Sequence, residues 1–303
     1  METYDIIIIG AGPGGLTAGI YAGRQGTKNL IIDRDLAGGL GREVPEMENY
    51  PGFENISGLE LIEKMKVQAI KNCTLHEMEE VTDIIKTDGE YHFKVKTTKD
   101  EYLTKTVILA TGSSHRHLDV KGEEEFKGKG VSYCATCDGF FFNGKDIIMV
   151  GGGNTALQEA LYLNNLGANV TLIHRRDEFR AQKELQNQIK EAGINTILNK
   201  TVEKIKGNML VESVVLKDTQ SGEITELPVN GVFISVGYIP HNNLAEKLGV
   251  NLDESGHIII DKDQKTNVEY VYAIGDVCVG LKQWIVACGE GAVAATSAYH
   301  DLS

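Results

Sequence analysis

Two cysteines with an acid directly after the second form the stretch best equipped for chemistry, Tyr133-Cys134-Ala135-Thr136-Cys137-Asp138-Gly139. Thiols at this spacing can close a small disulfide ring. The thiolate is the form that attacks another disulfide, so whatever tunes thiol pKa tunes reactivity. Asp138 stands where it can move the proton. By itself the pair supports three readings: a redox dithiol, half of a zinc site, or two cysteines that happen to be neighbours in a core. Zinc asks for four ligands, usually from a second CxxC or a close His pair. Cys73, Cys278 and Cys288 are scattered singly, and His115 and His117 lie on a linker-like stretch without a partner motif, so no metal is expected.

The elements that must position this pair belong to a chain of 303 residues, 42% hydrophobic and 24% charged, which suits about two well-buried domains. Lys and Arg number 30 against 43 Asp and Glu, a formal charge of -13, so a nucleic-acid backbone or an anionic membrane is repelled overall. The stretch Met1 to Asp5 carries acids and no basic segment. The apolar run Ile6 to Ile9 is too short for a signal core or a membrane span. Five cysteines without framework spacing argue against a secreted disulfide scaffold, whereas a lone CxxC fits a reducing compartment. A soluble, cytoplasmic protein is expected, with no nucleic-acid or membrane partner.

Residues 5 to 33 read as strand, turn, helix, strand. The run Asp5 to Ile9 feeds Gly10-Ala11-Gly12-Pro13-Gly14-Gly15, which matches GxGxxG at Gly10, Gly12 and Gly15. In such a turn the first glycine permits the tight bend, the second lets backbone approach a pyrophosphate, and the third lets helix pack on strand. A helix from about Leu16 to Gln25 aims its N-terminal N–H groups at the phosphates. The strand Asn29 to Ile32 then ends in Asp33, placed to accept hydrogen bonds from a free ribose. A glycine turn of some other α/β fold is the bland alternative.

The pattern recurs without a gap over 147 to 174. Ile147 to Val150 is a strand, Gly151-Gly152-Gly153-Asn154-Thr155-Ala156 gives the turn in its GxGxxA form, and Gly167 follows Gly151 at the spacing with which Gly26 follows Gly10. Where the first copy has Asp33, the second has His174, followed by Arg175, Arg176 and Arg180. An acid there repels a ribose 2′-phosphate, while arginines chelate one. The first site is therefore expected to take FAD or NAD and the second NADP, against the alternative of a solvated charged helix start at 174–180. The CxxC lies between the copies.

Beyond these units, Gly38-Gly39-Leu40-Gly41 and Glu48-Asn49-Tyr50-Pro51-Gly52-Phe53 read as turns, and Leu59 to Asn72 as a helix. Val81 to Leu103 reads as an antiparallel meander, followed by a separate buried strand Thr106 to Ala110 ending in Thr111-Gly112. The second unit continues through a helix at 182–192 and strands around Thr196, Val211 and Thr225 to a strand over 231–237. Crossings between domains are expected at Ser113 to Gly122 and Tyr238 to Asn243. The tail, a strand at Tyr270 to Ile274, Gly275-Asp276 and a small-residue helix from roughly Gly289 to Tyr299, lacks a fingerprint of its own and is expected to return to the first domain. Asp276 could then hydrogen-bond a cofactor chain, with the helix aiming its positive end at a reduced flavin.

In this order the chain resembles the low-molecular-weight thioredoxin reductases over nearly its whole length. The resemblance rests on GAGPGG at 10–15, GG at 38–39, ENYPG at 48–52, ATG at 110–112, CATCDG at 134–139, GGGNTA at 151–156, HRRDEFRA at 174–181 and GD at 275–276. It implies an α/β fold of two Rossmann-like dinucleotide-binding domains of the three-layer ββα kind, the second inserted into the first. An FAD domain would span 1–114 and 243–303, and an NADPH domain 115–242 would carry the CxxC. It also implies a homodimer and a relay from NADPH to FAD, to the Cys134/Cys137 disulfide, to the disulfide of thioredoxin. Cys134 would attack thioredoxin, Cys137 would face the flavin, and Asp138 would serve proton transfer.

The FAD positions carried over are Gly10, Gly12, Pro13, Gly14, Gly15, Asp33, Arg34, Gly38, Gly39, Leu40, Asn49, Ala110, Thr111, Gly112, Gly275, Asp276, Lys282, Gln283 and Trp284. The NADPH positions are Gly151, Gly153, Asn154, Thr155, Ala156, His174, Arg175, Arg176 and Arg180. The chain departs from the family in Leu40, where Gln is common, in Lys282-Gln283, where Arg-Gln is usual, and in the bulky Trp284, which either stacks on the flavin or packs the domain or dimer interface. Asn154 replaces a frequent acid, and Cys288 reads as a small core residue. Because disulfide and nicotinamide would ride on one domain and both need the flavin, that domain is expected to rotate about the two crossings. Rival readings are a reductase of a peroxiredoxin or glutaredoxin-like protein, and a nonenzymatic flavin redox sensor.

Overall fold

The structure, a computed structural model, describes residues 1–44 and 47–302. Met1–Ser114 together with Ile239–Ser303 form one compact unit, and His115–Tyr238 form a second. Short strands at Ser113–His115 and Tyr238–Pro240, where the chain crosses, pair with each other.

In the first unit the strand Glu2–Ile9 lies between Asn29–Ile32 and Glu101–Leu109, both parallel to it. The run of isoleucines follows from burial on both faces. Ile6 and Ile8 face the helix side with Leu16, Leu61 and Ala294, while Ile7 and Ile9 face the opposite core with Val95, Leu109 and Leu248. Thr74–His76 extends the sheet beyond Asn29–Ile32, and Phe93–Thr97 and Val81–Lys86 continue it antiparallel on the far side. Val271–Ala273 joins parallel to Val107–Leu109.

Two expectations change here. The meander's last strand and the buried strand Thr106 to Ala110 are a single strand, Glu101–Leu109. Thr104 and Thr106 are fully buried, and the Thr104 hydroxyl bonds the Thr106 carbonyl at 2.9 Å, so the polar stretch does not break the strand. Lys105 reaches outward to Asp5 and Glu90. The terminal helix begins at Trp284 rather than near Gly289 and runs Trp284–Asp301. Gly289 and Gly291 do not end it, and Gly291 serves close packing: a Cβ on it would stand 2.3 Å from the Gly14 carbonyl oxygen of the helix Pro13–Arg24.

The second unit carries a parallel sheet in the order Asn195–Ile197, Asn169–Ile173, Asp146–Gly151, Gly231–Ser235, Val131–Ser132. Ile147 and Met149 point to the core under the helix Asn154–Asn165, and Ile148 and Val150 to the core under a second sheet. That second sheet is the antiparallel set Lys200–Gly207, Val211–Asp218, Ile224–Pro228. Helix, parallel sheet and antiparallel sheet make three layers. Among the described residues no helix is long and apolar enough to cross a membrane.

Candidate functional site

Cys134 and Cys137 are joined as a disulfide, with Cα atoms 5.3 Å apart. Of the readings open in the sequence, this is the redox one. Cys134 caps a single helical turn, Ala135–Asp138, which runs into a second short turn, Gly139–Phe142. Gly139 is needed where it stands, since a Cβ there would meet the Leu163 side chain of helix Asn154–Asn165 at 2.7 Å. Burial pushes the Asp138 carboxyl above its ordinary range, and the Ser132 hydroxyl, donating at 2.6 Å, works against that rise. Cys134 and Cys137 share this corner with Asp138 and with Ser132, which sequence reasoning passed over. The signal was present in the position of Ser132, two before the first cysteine on a strand.

The two glycine turns are built alike. Gly10 has φ +109°, and a Cβ on it would stand 2.2 Å from the Ala110 carbonyl oxygen. On Gly151 a Cβ would stand 2.4 Å from that of Ser235. The middle glycines differ from these. Gly12 and Gly153, which cap helices Pro13–Arg24 and Asn154–Asn165, have open space where a Cβ would stand, and neither helix has a side-chain cap. Uncapped N–H groups facing open space at a helix N-terminus fit an anionic diphosphate. Pro13, Gly14 and Gly15 form the first turn of one helix, and Asn154, Thr155 and Ala156 that of the other.

Around the first turn, Asp33 accepts the Ala11 N–H at 2.6 Å and the Asp35 N–H at 2.9 Å. Burial raises its pKa against those two bonds. Arg34 is exposed and pairs with Asp35 at 3.4 Å. Gly38 donates its N–H to the Ala11 carbonyl, and Gly39 and Leu40 open a 3-10 turn, Gly39–Glu43. Ala110, Thr111 and Gly112 follow the strand Glu101–Leu109, with the Thr111 hydroxyl on the His241 carbonyl at 2.7 Å.

Lys282 and Trp284, two of the departures from family pattern, both have partners within the first unit. Trp284 lies edge-on to Tyr50, ring centroids 6.3 Å apart, and its ring fills the space beside Gly41, where a Cβ would sit 2.6 Å from it. Its indole Nε1 is buried with no hydrogen-bond partner among the described residues. Gln283 receives the Asn49 side-chain amide at 3.2 Å, so Asn49, Tyr50, Gln283 and Trp284 gather at the start of the terminal helix. Lys282 donates to the Cys278 carbonyl, and burial lowers its pKa while Asp276 and Glu290 raise it. Burial raises the carboxyls of Asp276 and Glu290, with Lys282 opposing both. Glu290 also accepts the Gly275 N–H at 2.6 Å. Sequence reasoning missed Glu290, though it stands out as an acid amid the small residues of that helix. Cys288 is buried beneath Tyr50, and burial raises its thiol pKa.

The basic set of the second unit divides. Arg175, Arg176 and Arg180 are exposed, in a bend rather than a helix, and Arg180 is tied by its N–H to the Gly152 carbonyl at 2.9 Å. His174 is 6% exposed, its Nε2 has no partner among the described residues, and its ring lies so near Gly152 that a Cβ there would stand 2.2 Å away. Burial, then Arg176 and Arg180, lower its pKa. The imidazole therefore supports the turn from beneath, and the guanidinium groups are the part of the set that faces solvent.

A family model described as pyridine nucleotide-disulphide oxidoreductase matches residues 4–291. The chain belongs to the pyridine nucleotide-disulphide oxidoreductases. As an oxidoreductase of this family it is similar to curated thioredoxin reductases. It is 43% identical to that of Peptoclostridium acidaminophilum, over 98% of this chain and 96% of the relative, and 41% identical to that of Bacillus subtilis, over 99% and 95%. The crystal structure of thioredoxin reductase from Streptococcus pyogenes matches with a TM-score of 0.91 at 40% identity, covering 99% of this chain and 98% of that one. The α/β fold with two dinucleotide-binding units is that of these oxidoreductases.

Proposed function

We propose that the chain is an NADPH-dependent, FAD-containing thioredoxin reductase that reduces a thioredoxin disulfide through Cys134 and Cys137. The observation that carries this reading is the Cys134–Cys137 disulfide in the same unit as the second glycine turn, Gly151 to Ala156. Full-length relatives that bear the name thioredoxin reductase support it. The proposal assigns FAD to residues 1–114 and 243–303 and NADPH to residues 115–242. It further holds that the protein is cytoplasmic and works as a homodimer.

Bound flavin supplies the two-electron chemistry that links a hydride donor to a disulfide. The chain's own groups bind and orient. The N–H groups after Gly12 would hold the FAD diphosphate and Asp33 a ribose. Asn49, Gly275, Asp276 and Gln283 would line the flavin's path. The N–H groups after Gly153 would hold the NADPH diphosphate, with Arg175, Arg176 and Arg180 on the 2′-phosphate. Once the dithiol is formed, Cys134 attacks the incoming disulfide and Cys137 resolves the mixed disulfide. Asp138 takes and returns the proton.

The test is anaerobic NADPH oxidation by the purified flavoprotein, with and without a bacterial thioredoxin, beside Cys137→Ser. Turnover that needs thioredoxin and vanishes in the variant, while NADPH still bleaches the flavin, is the expected result. Bleaching without thioredoxin turnover would redirect the search to another disulfide protein, such as a peroxiredoxin or glutaredoxin-like partner. No bleaching at all would overturn the donor assignment.

A further inference from the structure

Ser132 lies on the two-residue strand Val131–Ser132, at the edge of the parallel sheet, and is 4% exposed. Its hydroxyl donates to Asp138 Oδ2 at 2.6 Å and accepts the Cys134 N–H at 3.1 Å. One buried oxygen thus joins the carboxyl to the main chain of the first cysteine. Along an extended chain neighbouring side chains point to opposite sides. Tyr133 accordingly leaves the motif and donates its hydroxyl to Glu123 at 2.6 Å, beside His117. The helical turn Ala135–Asp138 is too short to fix the rotamer of its own last residue, and Cys134 offers it no side-chain cap.

We propose that Ser132 is a positioning residue for disulfide exchange, its hydroxyl holding the Asp138 carboxyl in a fixed relation to the Cys134 main chain. This rests on the reading of Asp138 as the group that handles the proton, and deepens it. In the exchange the Cys134 thiol gives its proton to the Asp138 carboxylate while its sulfur attacks one sulfur of the incoming disulfide. The other sulfur departs as a thiolate and takes the proton from Asp138. The Cys137 thiol then gives its proton to Asp138 and attacks the Cys134 sulfur, re-forming the Cys134–Cys137 bond. The second partner sulfur leaves with that proton. Two electrons and two protons pass from dithiol to partner. A carboxyl that must accept and return a proton twice per turnover gains from a fixed position.

The hydroxyl also sets the proton affinity of the carboxyl. Burial raises the Asp138 pKa and the Ser132 donor lowers it. Glu159, on the helix packed against this turn, is hydrogen-bonded with Ser235, and Tyr162 of the same helix lies against Gly139. Tyr133 and His117 are committed to Glu123, and the turn Gly139–Phe142 carries no titratable side chain.

The experiment measures NADPH-driven reduction of the chromogenic disulfide dithiobis(nitrobenzoate) by holoenzyme together with a bacterial thioredoxin across pH. Wild type is compared with Ser132→Ala, Ser132→Thr and Asp138→Asn, with flavin content checked in each. Ser132→Ala is expected to move the acidic limb of kcat/KM upward by about one pH unit, the effect of losing one hydrogen bond to a charged group. It should also lower kcat by roughly tenfold, with KM for NADPH unchanged. Ser132→Thr keeps the hydroxyl and should restore both, and Asp138→Asn should abolish the limb. A Ser132→Ala profile that superimposes on wild type while Asp138→Asn loses the limb would overturn the role of Ser132 and leave that of Asp138 standing. A uniform loss at every pH that threonine does not rescue would mean a role in folding alone and also overturn it. A limb that survives in Asp138→Asn sinks both readings.

Discussion

The Asp33 carboxylate accepts the backbone N–H of Ala11 at 2.6 Å, so the acid that ends one strand is bonded to the middle of the glycine turn that ends its neighbour. The turn is held in shape by the same residue that is proposed to read the ribose. Asp33→Ala should therefore cost about 2 kcal/mol of stability even without cofactor, the usual worth of hydrogen bonds to a charged group. Urea unfolding of flavin-free protein, together with flavin retention after dialysis, checks this. A variant that loses flavin yet unfolds at the wild-type midpoint would mean that the bond to Ala11 does not hold the turn.

Gly152 and His174 make a complementary test in the second unit. A Cβ on Gly152 would stand 2.2 Å from the buried imidazole, so Gly152→Ala should cost about 2 kcal/mol through overpacking. It should also raise KM for the pyridine nucleotide. In a His174→Ala background the same change should cost far less, and a double-mutant cycle on unfolding midpoints reads the difference directly. Additive losses would show that the ring is not the obstacle.

Glu123 should give the acid limb of stability a visible component. Burial alone would raise its pKa, but the Tyr133 hydroxyl, the N–H groups of Leu118 and Val120, and His117 outweigh burial and hold it below the ordinary carboxylate range. A depressed folded-state pKa means stability that is fully present above the unfolded value and is lost as pH falls through the folded one. Glu123→Gln should lower Tm at neutral pH and flatten its decline between about pH 5 and the depressed value. A variant whose Tm falls with acid as steeply as wild type would contradict this.

The redox disulfide and the second glycine turn belong to one unit, while the proposed flavin positions belong to the other. Both proposed half-reactions need the same flavin, so a reversible cross-link engineered between the units should stop turnover and leave one half-reaction intact. Stopped-flow traces of flavin reduction by NADPH and of flavin oxidation by thioredoxin, taken on locked and released protein, measure it. Two full-rate half-reactions in the locked form would dispose of the rotation.

Most of the frame was legible because it depends on backbone geometry that few residues permit. Gly10 and Gly151 each pass a carbonyl oxygen so closely that a side chain is excluded, and such positions show directly in sequence. The runs Ile6–Ile9 and Ile147–Val150 announce strands buried on both faces. The strand Lys200–Gly207 was passed over, because a register shift between Val202 and Lys204 breaks the alternation that would reveal it. The terminal helix starts at Trp284, ahead of the expected Gly289, because glycines look like helix breakers, though Gly291 serves close contact with Gly14. At the site the cysteines and glycines stood out, while Ser132 and Glu290 did not. Their importance lies in which N–H or carboxyl they meet, and that is settled only by folding.

The strand Val271–Ala273 beds on Val107–Leu109, and the whole of His115–Tyr238 is threaded between them in the chain. During synthesis the second unit is contiguous and can close on itself as soon as it has emerged. The first must wait, with the edge at Val107–Leu109 uncovered, until Val271–Ala273 arrives. Long-range pairing of this kind is slow and exposes apolar edges to wrong partners. The unit begun second therefore finishes first, and the one begun first is the point at which an interrupted chain would aggregate.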